Sequence, residues 1–307
     1  MTAQDEAPHV LAIVGPTASG KSDMAIILAE ELGGEVVSAD AMQVYQGMDI
    51  GTAKVPVGGR RGIPHHLIDI LDPVEESSAA DIQRRGRLAI DEIRSAGRVP
   101  IVAGGSGLYI SALLDDLEFG GTDRQIRSRL EDDLAAMGPE ELHAQLSRID
   151  PAAAGAILPS NGRRIVRALE YIEVTGEPYR ARFAPAPAYP SVRVGLVVPW
   201  DALDQRIDTR VRRMWSDGMV AEVQRLLEAG LGRTAAGAIG YAQAIAQLRG
   251  ELTEEQAMEE TAVATRRLAR RQMRWMRRDS RVVWRAYDDP GLLAEVVHLY
   301  RTAVRTP

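Results

Sequence analysis

The sequence has no cysteine, only two phenylalanines, and only two lysines among its 37 basic residues. The absence of cysteine excludes disulfides and thiolate zinc sites, and it favours a cytoplasmic protein. No apolar run approaches the roughly 20 residues needed to cross a bilayer. Residues 1–9 also lack the positive flank and apolar core of a signal peptide. We therefore expect a soluble, globular, cytoplasmic protein.

The overall charge and length restrict the architecture only loosely. The net charge of −6 means that a polyanionic partner has to be argued from where the charges lie, not from their total. The 307 residues, 45% of them apolar, suffice for one large α/β domain or for a core with an insertion. Short β-rich runs alternate with helical patterns, which indicates a mainly parallel sheet. The strand candidates are Val10–Val14, 35–38, 66–70, 99–103, 192–198 and 282–285.

A long segment without strand candidates separates the fourth strand from the fifth. It covers about 121–190, has helical patterns at 124–137, 139–148 and 163–175, and ends in a Pro/Ala-rich stretch at 184–190. We interpret it as an inserted helical subdomain that interrupts a core made of 8–120 and 191–307. Further helices are predicted at 203–229 and 254–278, and the second of these opens with a capping box from Thr253 to Gln256.

The residues between the first strand and the first helix fit the phosphate-loop pattern G-x-x-x-x-G-K-[ST]. They are Gly15, Pro16, Thr17, Ala18, Ser19, Gly20, Lys21 and Ser22. In such a loop the backbone N–H groups face phosphate oxygens, the lysine reaches the terminal phosphates, and the hydroxyl binds Mg²⁺. We therefore predict a site for a diphosphate or a triphosphate such as ATP. The alternative is a Gly-rich turn without a ligand.

Two further segments follow strand candidates at the carboxyl edge, where open α/β sheets bind ligands. Asp40 follows the second strand, and Gln43 and Tyr45 behind it have the chemistry to read a base edge and to stack on a base. Ser106 lies in a Gly-rich segment after the fourth strand. A turn role for Asp40 and an ordinary loop around Ser106 are the alternatives.

These segments together resemble the bacterial tRNA dimethylallyltransferase family. The similar segments are 15–22, the Asp40-x-x-Gln43-x-Tyr45 stretch, 48–54, 64–69, 104–109, 163–170, 205–210, 238–241 and 270–277. The resemblance implies a P-loop NTPase-like core and transfer of a dimethylallyl group from its diphosphate to N6 of adenine 37 in tRNA, beside the anticodon. It also implies dimethylallyl diphosphate, the tRNA anticodon loop and Mg²⁺, bound through Ser22, as ligands. We expect a monomer that does not bind membranes.

The resemblance assigns catalytic roles to five residues. Asp40 is the general base that takes a proton from the weakly nucleophilic adenine amine. The hydroxyl of Ser106 lies between adenine and diphosphate, and Lys21 stabilises the departing diphosphate. Arg206 and Arg210, four residues apart on one helical face, clamp the diphosphate. On the residues alone, these two arginines are equally consistent with an exposed face that pairs with two neighbouring aspartates.

Charge is strongly segregated near the C-terminal end of the sequence. The segment from Arg266 to Arg285 holds nine arginines against the single Asp279. We predict that it faces tRNA phosphates, the alternative being a solvated helical face. The predicted tRNA contacts are Asp40, Ala41, Met42, Gln43, Ser106, Arg127, Arg163, Arg164, Arg167, Gly240, Tyr241, Arg270, Arg274 and Arg277.

Three other functions compete with this interpretation. A phosphate-loop small-molecule kinase and an isopentenyltransferase acting on free adenine nucleotides would need neither the arginine-rich helix nor the insertion. A non-enzymatic RNA-binding switch would leave Asp40 and Ser106 beside the phosphate loop unexplained. The transferase acting on tRNA is therefore the preferred hypothesis.

Overall fold

A computed structural model describes residues 8–117, 119–120, 123–179 and 186–305. The chain divides into two compact units: a core unit of Met1–Asp116 with Ala186–Pro307, and a helical unit of Leu117–Pro185. Residues 1–7, 121–122 and 184–185, on which the expectations for the N-terminus, the start of the insertion and the Pro/Ala stretch partly rest, lie outside the described residues. Within the described ranges, no helix is long and apolar enough to cross a membrane.

The core unit is built on a six-stranded sheet in which every neighbouring pair is parallel. Its strands are β1 (Val10–Val14), β2 (Gly34–Ser38), β3 (His65–His66), β4 (Val99–Gly104), β5 (Ser191–Val197) and β6 (Val282–Ala286), in the order β3-β2-β4-β1-β5-β6. The predicted parallel sheet is confirmed. Because β4 lies between β2 and β1, the segments after these three strands meet at one edge of the sheet.

Thirteen helices accompany the sheet in the described chain. They are α1 (Lys21–Leu32), α2 (Ala79–Ser95), α3 (Gly107–Leu114), α4 (Arg124–Met137), α5 (Pro139–Ile149), α6 (Pro151–Ala156), α7 (Gly162–Thr175), α8 (Trp200–Ser216), α9 (Met219–Ala229), α10 (Arg233–Ala236), α11 (Tyr241–Leu248), α12 (Glu254–Met276) and α13 (Leu292–Arg305). The capping box predicted for α12 is present, because Thr253 and Gln256 exchange side-chain and backbone hydrogen bonds.

The central strand β1 is apolar at every position because both of its faces are covered. Its odd and even residues enter two different cores: Leu11 and Ile13 pack with α1 and α13, whereas Val10, Ala12 and Val14 pack with the helices of the other face. The sheet is therefore the middle layer of three, and its carboxyl edge is left for loops.

The helical unit has a hydrophobic core of its own. Leu142 and Leu146 of α5 and Ile165 of α7 are fully buried at its centre. The helices predicted at 124–137, 139–148 and 163–175 correspond to α4, α5 and α7. A separate core is what allows a segment of this length to fold as a subdomain within another sequence.

Two predicted elements are wrong in extent. The strand predicted at 66–70 is limited to His65–His66, because Leu67 and Asp69 have φ values of +61° and +56°, which no extended strand accommodates. The helix predicted at 203–229 is two helices, α8 and α9, because Gly218 between them has a φ of +102°.

Gly34, at the start of β2, provides a test of the sheet. A Cβ added there would lie 2.4 Å from the backbone oxygen of Val99 on β4. The backbone oxygen of Val99 cannot shift without disturbing the hydrogen bonds between the strands. We therefore expect Gly34→Ala to lower the free energy of unfolding by about 1–3 kcal/mol, as measured by chemical denaturation. Gly58→Ala is the control, because nothing lies within 4 Å of its added Cβ. Equal stability of the two variants would contradict the proposed clash.

Candidate active site at the carboxyl edge of the sheet

The phosphate-loop sequence joins β1 directly to the first turn of α1, as predicted. Gly20 precedes the helix with a φ of +92°, a conformation that L side chains rarely adopt. The hydroxyl of Ser19 is buried and has no hydrogen-bond partner in the described chain. A buried hydroxyl without a partner is costly, and an oxyanion held by the loop would remove that cost. The geometry therefore fits an anion at the N-terminus of α1.

Three side chains from distant helices hold the loop in shape. Arg206 Nε of α8 donates to the carbonyl oxygen of Ala18 at 2.8 Å, and Arg210 Nη1 donates to Thr17 Oγ1 at 3.0 Å. Gln272 Oε1 of α12 accepts a hydrogen bond from Thr17 N at 2.9 Å. Both arginines thus contact the loop where the clamp was predicted. Gln272 was missed, although it lies in the 270–277 segment that carried the family resemblance.

The electrostatics of the loop favour an anionic ligand. Lys21 Nζ donates to the carbonyl oxygen of Pro16 at 3.2 Å. Burial lowers the pKa of Lys21 to about 8; the charge of Asp40 opposes this shift and the charge of Arg210 adds to it. Burial also lowers the pKa of Arg210, again opposed by Asp40. Two cations therefore share the carboxylate of Asp40, which leaves an excess of positive charge that a phosphate would balance.

Asp40 holds a turn with one of its oxygens. Oδ1 accepts hydrogen bonds from Met42 N at 2.9 Å and from Gln43 N at 3.4 Å. Oδ2 has no hydrogen-bond partner among the residues that the structure describes, and the side chain is only partly buried. The turn role and the site role are thus compatible, because each uses a different oxygen of the carboxylate.

Asp40 and Ser106 lie side by side because β2 and β4 are neighbours. Ala39 N donates to the carbonyl oxygen of Ala103 at 2.8 Å, and Ser106 N donates to that of Ala39 at 3.3 Å. A Cβ on Gly104 would lie 2.3 Å from the same Ala39 oxygen, so only glycine permits this approach. The structure therefore brings the predicted carboxylate and hydroxyl to one edge.

Gln272 also connects the phosphate loop to the Gly-rich segment. A Cβ added to Gly105 would lie 2.5 Å from Gln272 Nε2 and 3.1 Å from the carbonyl oxygen of Gly15. One side chain of α12 thus fills the space between two of the predicted site segments. The phosphate loop, Asp40, Ser106, Arg206 and Arg210 consequently belong to a single site.

Three residues whose side chains were considered for contacts with nucleic acid are hydrogen-bonded or buried within the protein. Gln43 Oε1 accepts from Ser38 Oγ at 3.0 Å, and its Nε2 donates to the carbonyl oxygen of Thr52 at 3.2 Å. Tyr241 is fully buried, which leaves its side chain no surface for the predicted contact with tRNA. Tyr45, whose ring had the chemistry to stack on a base, is fully buried as well. Gly240, with a φ of +90°, serves as the N-cap of α11. The sequence alone does not tell a buried tyrosine from an exposed one.

Two of the four arginines predicted to form a tRNA surface on the helical unit pair with a buried glutamate of the same unit. Arg127 Nη2 and Arg167 Nη1 lie 2.6 Å and 3.0 Å from Oε2 of Glu170, whose side chain is fully buried. Both charges neutralise that carboxylate, and the contact of Arg127 and Arg167 with tRNA stays a prediction. Arg163 and Arg164 are exposed and have no ionic partner in the described part of the chain.

Several arginines at the end of the core unit are also paired. Arg266 and Arg270 of α12 form ion pairs with Asp208 and Asp204 of α8, and Arg270 lies over the ring of Trp200. The alternative for Arg206 and Arg210, pairing with these aspartates, is therefore not realised. Arg277 lies over the ring of a tryptophan on β6. Of the three α12 arginines predicted to contact tRNA, Arg270 thus has a counter-ion and Arg277 lies on an aromatic ring, while the contact of Arg270, Arg274 and Arg277 with tRNA stays a prediction.

A different set of arginines on α12 and the turn that follows it has no counter-ion. Arg267, Arg271, Arg274 and Arg278 are all exposed, and none has an ionic partner in the described ranges. Their spacing of four, three and four residues places them along one helical face. We call these four residues the unpaired arginine stripe.

A parallel sheet whose first strand runs into a phosphate loop is the architecture of P-loop NTPase-like proteins. Comparison with protein families is more specific. The model described as IPP transferase matches residues 43–279, and the model described as isopentenyl transferase matches residues 8–58. The chain therefore belongs to the IPP transferase family.

Individual relatives agree with this membership. The tRNA dimethylallyltransferase of Thermobifida fusca is 55% identical over 292 residues, with 92% of each chain covered. The full-length tRNA isopentenylpyrophosphate transferase of Bacillus halodurans has a similar structure, with a TM-score of 0.72, 40% identity and 96% of each chain covered. A eukaryotic dimethylallyltransferase acting on tRNA has a TM-score of 0.81 at 26% identity, with 96% of this chain and 78% of that chain covered.

The only two lysines allow a matched test of the site's electrostatics. The pKa of Lys21 falls from 10.5 to about 8 on folding, so its charge disfavours the folded state fully below about pH 8 and not at all above 10.5. We expect Lys21→Met to be more stable than the wild type at pH 7, by up to about 3 kcal/mol, and this advantage to disappear by about pH 10.5.

Lys54→Met should behave in the opposite way. Lys54 is buried and pairs with Asp49 and Asp69, so its removal should destabilise the protein by about 3 kcal/mol or more at pH 7. Chemical denaturation of both substrate-free variants at pH 7 and pH 10.5 makes the comparison. A Lys21→Met protein less stable than the wild type at pH 7 would contradict the expected electrostatics of the loop.

Proposed function

We propose that this protein transfers a dimethylallyl group from dimethylallyl diphosphate to N6 of adenine 37 in the anticodon loop of tRNA. The observation that carries the proposal is that Asp40 lies close enough to Lys21 and Arg210 to act on the pKa of each. A proton acceptor and the cations for a diphosphate leaving group thus share one site. The names of the relatives support the same reaction.

The phosphate loop is assigned to the diphosphate. Lys21 and Arg210 stabilise the negative charge that grows on this leaving group as the bond from carbon to oxygen breaks. Because Thr17 N is hydrogen-bonded to Gln272, we assign the backbone contacts with phosphate to the N–H groups that follow Thr17. Ser19 then gains the hydrogen-bond partner that its buried hydroxyl lacks.

The residues present fit a Mg²⁺ ion held mainly by its substrate. Ser22 lies in the first turn of α1, and its hydroxyl has no hydrogen bond among the described residues. No group of three or more His, Asp or Glu side chains that could hold a metal exists within those residues. Mg²⁺ commonly takes few protein ligands and completes its shell with phosphates and water. Ser22 would hold the ion, which would supply positive charge for the diphosphate.

The acceptor end of the reaction is assigned to Asp40 and Ser106. The lone pair of the adenine amine is delocalised into the ring, so the amine attacks well only if it loses a proton as the new bond forms. Asp40 Oδ2 accepts that proton, and the diphosphate leaves with the electron pair of the broken bond. Ser106, whose backbone N–H bonds to the residue before Asp40, is assigned the role of orienting the base between Asp40 and the phosphate loop.

The unpaired arginine stripe is assigned to the tRNA backbone. Its charges are not neutralised by the protein, so phosphates can displace the counter-ions bound there. Reaching the site requires the adenine to leave its stacked position, as enzymes that modify bases generally demand. A kinase or a transferase acting on free nucleotides has no use for four arginines along one face, which argues against both alternatives.

A transfer assay tests the reaction and the base together. Wild-type protein is incubated with Mg²⁺, labelled dimethylallyl diphosphate and either unmodified tRNA or AMP, and label is expected on tRNA. Asp40→Asn keeps an Oδ1 acceptor for the turn but removes the base, so we expect the transfer rate to fall about 10²–10⁴-fold with tRNA affinity unchanged. Label on AMP but not on tRNA would exclude the proposed substrate, and an Asn variant retaining about a tenth of the rate would exclude the base role.

Salt dependence tests the tRNA surface. Replacing Arg271, Arg274 and Arg278 with glutamine should weaken tRNA binding and lower the log–log salt slope by about 0.7–0.9 for each tRNA phosphate that is no longer neutralised. The control replaces the paired Arg266 and Arg270, whose charges are already balanced by aspartates and should contribute little to the slope. Affinity for dimethylallyl diphosphate should stay constant in the stripe variant. A larger slope change in the control would place the tRNA surface elsewhere.

A further inference from the structure

Glu222 of α9 is a buried carboxylate that touches none of the residues assigned to the two substrates. Its side chain accepts four hydrogen bonds. Oε2 accepts from Asp49 N at 3.1 Å and Ile50 N at 2.9 Å, and Oε1 accepts from Gly51 N at 3.3 Å and from the hydroxyl of Tyr241 at 2.6 Å. Three consecutive backbone amides of one loop therefore converge on a single side chain.

These hydrogen bonds give residues 48–54 an unusual, closed conformation. A Cβ on Gly51 would lie 2.4 Å from the Tyr241 ring, so the loop lies directly against the partner of Glu222. Ala53 has a φ of +50°, and Lys54 N closes the turn by donating to the carbonyl oxygen of Asp49 at 3.0 Å. A strained turn of this kind persists only where its surroundings determine it, and here the buried Glu222 supplies that constraint.

The closed loop is connected to the proposed base. The carbonyl oxygen of Thr52 accepts from Gln43 Nε2 at 3.2 Å, and Gln43 Oε1 accepts from Ser38 Oγ at 3.0 Å. The backbone N–H of the same Gln43 donates to Asp40 Oδ1 at 3.4 Å. Gln43 thus joins the loop held by Glu222 to the turn that orients the Asp40 carboxylate.

We propose that Glu222 is a positioning residue for dimethylallyl transfer, acting on Asp40 through the 48–54 loop and Gln43. The inference rests on the proposed function, because it concerns the geometry of the proton acceptor in that reaction. The phosphate loop is braced separately, by Arg206, Arg210 and Gln272. Loss of Glu222 should therefore impair the transfer step and leave the binding of dimethylallyl diphosphate intact.

Glu222→Gln is the informative change, because it keeps the size of the side chain but points an NH₂ group at N–H donors. We expect single-turnover transfer, at saturating tRNA and dimethylallyl diphosphate, to fall about ten- to a hundredfold, as misplacement of a reacting group by about 1 Å does. The dissociation constant for dimethylallyl diphosphate alone should change less than about twofold. A fall in both quantities together would overturn the proposal.

Asp115→Asn is the control for a general loss of stability. Asp115 is as buried as Glu222 and is satisfied by Arg193 and Arg281, which do not contact the 48–54 loop. Its replacement should lower the unfolding temperature at least as much, while transfer changes less than about twofold. Equal losses of transfer in the two variants would assign Glu222 a purely structural role.

A double-mutant cycle tests the connection itself. If Glu222 acts through Gln43, Glu222→Gln should lower the transfer rate clearly less in a Gln43→Ala background than in the wild type, and equal losses would overturn the connection.

Should Glu222→Gln fail to fold, Tyr241→Phe is the substitute variant. It removes one of the four donors to Glu222 and should give a smaller loss of transfer, again with unchanged diphosphate binding. A wild type that does not modify tRNA would count against the proposed function. If the wild type is active, full activity of the folded Glu222→Gln and Tyr241→Phe variants would count against the positioning role alone.

Discussion

The hydrogen bond between Thr17 and Gln272 joins residues 255 positions apart and sets the relation between the phosphate loop and α12. The helix that braces the loop is also the helix that carries the unpaired arginine stripe. Helix α8 is tied to both, because its Arg206 and Arg210 contact the loop while its aspartates pair with arginines of α12. The site proposed for the diphosphate and the surface proposed for tRNA are therefore held by the same contacts.

Ion pairing decides which arginines are available in this acidic protein. The local excess of positive charge on α12 survives because the aspartates of α8 face one side of that helix and leave the other side uncompensated. In the helical unit the buried Glu170 uses two arginines in the same manner. A net charge of −6 is thus compatible with the surface proposed for tRNA, since what matters is how the charges are paired and not their sum.

Features set by neighbouring residues could be predicted from the sequence, and features set by distant partners could not. The phosphate loop and β1 follow from a local pattern, and the meeting of Asp40 with Ser106 follows from the parallel sheet. The ion pair of Arg270 could not be predicted, because helical periodicity tells which residues share a face but not where Asp204 lies. The burial of Tyr241 could not be predicted either, because its hydrogen-bond partner Glu222 lies on a different helix, α9.

The lowered pKa of Lys21 gives the protein an uneven chemical reactivity. At neutral pH about a tenth of an amine with a pKa near 8 is unprotonated and nucleophilic, whereas Lys54 is enclosed by its ion pairs. Every other basic side chain except histidine is a guanidinium, which stays charged and unreactive. Of the two lysines, Lys21 is therefore the one whose amine is partly uncharged at neutral pH, and acylation there would remove a charge of the proposed diphosphate site.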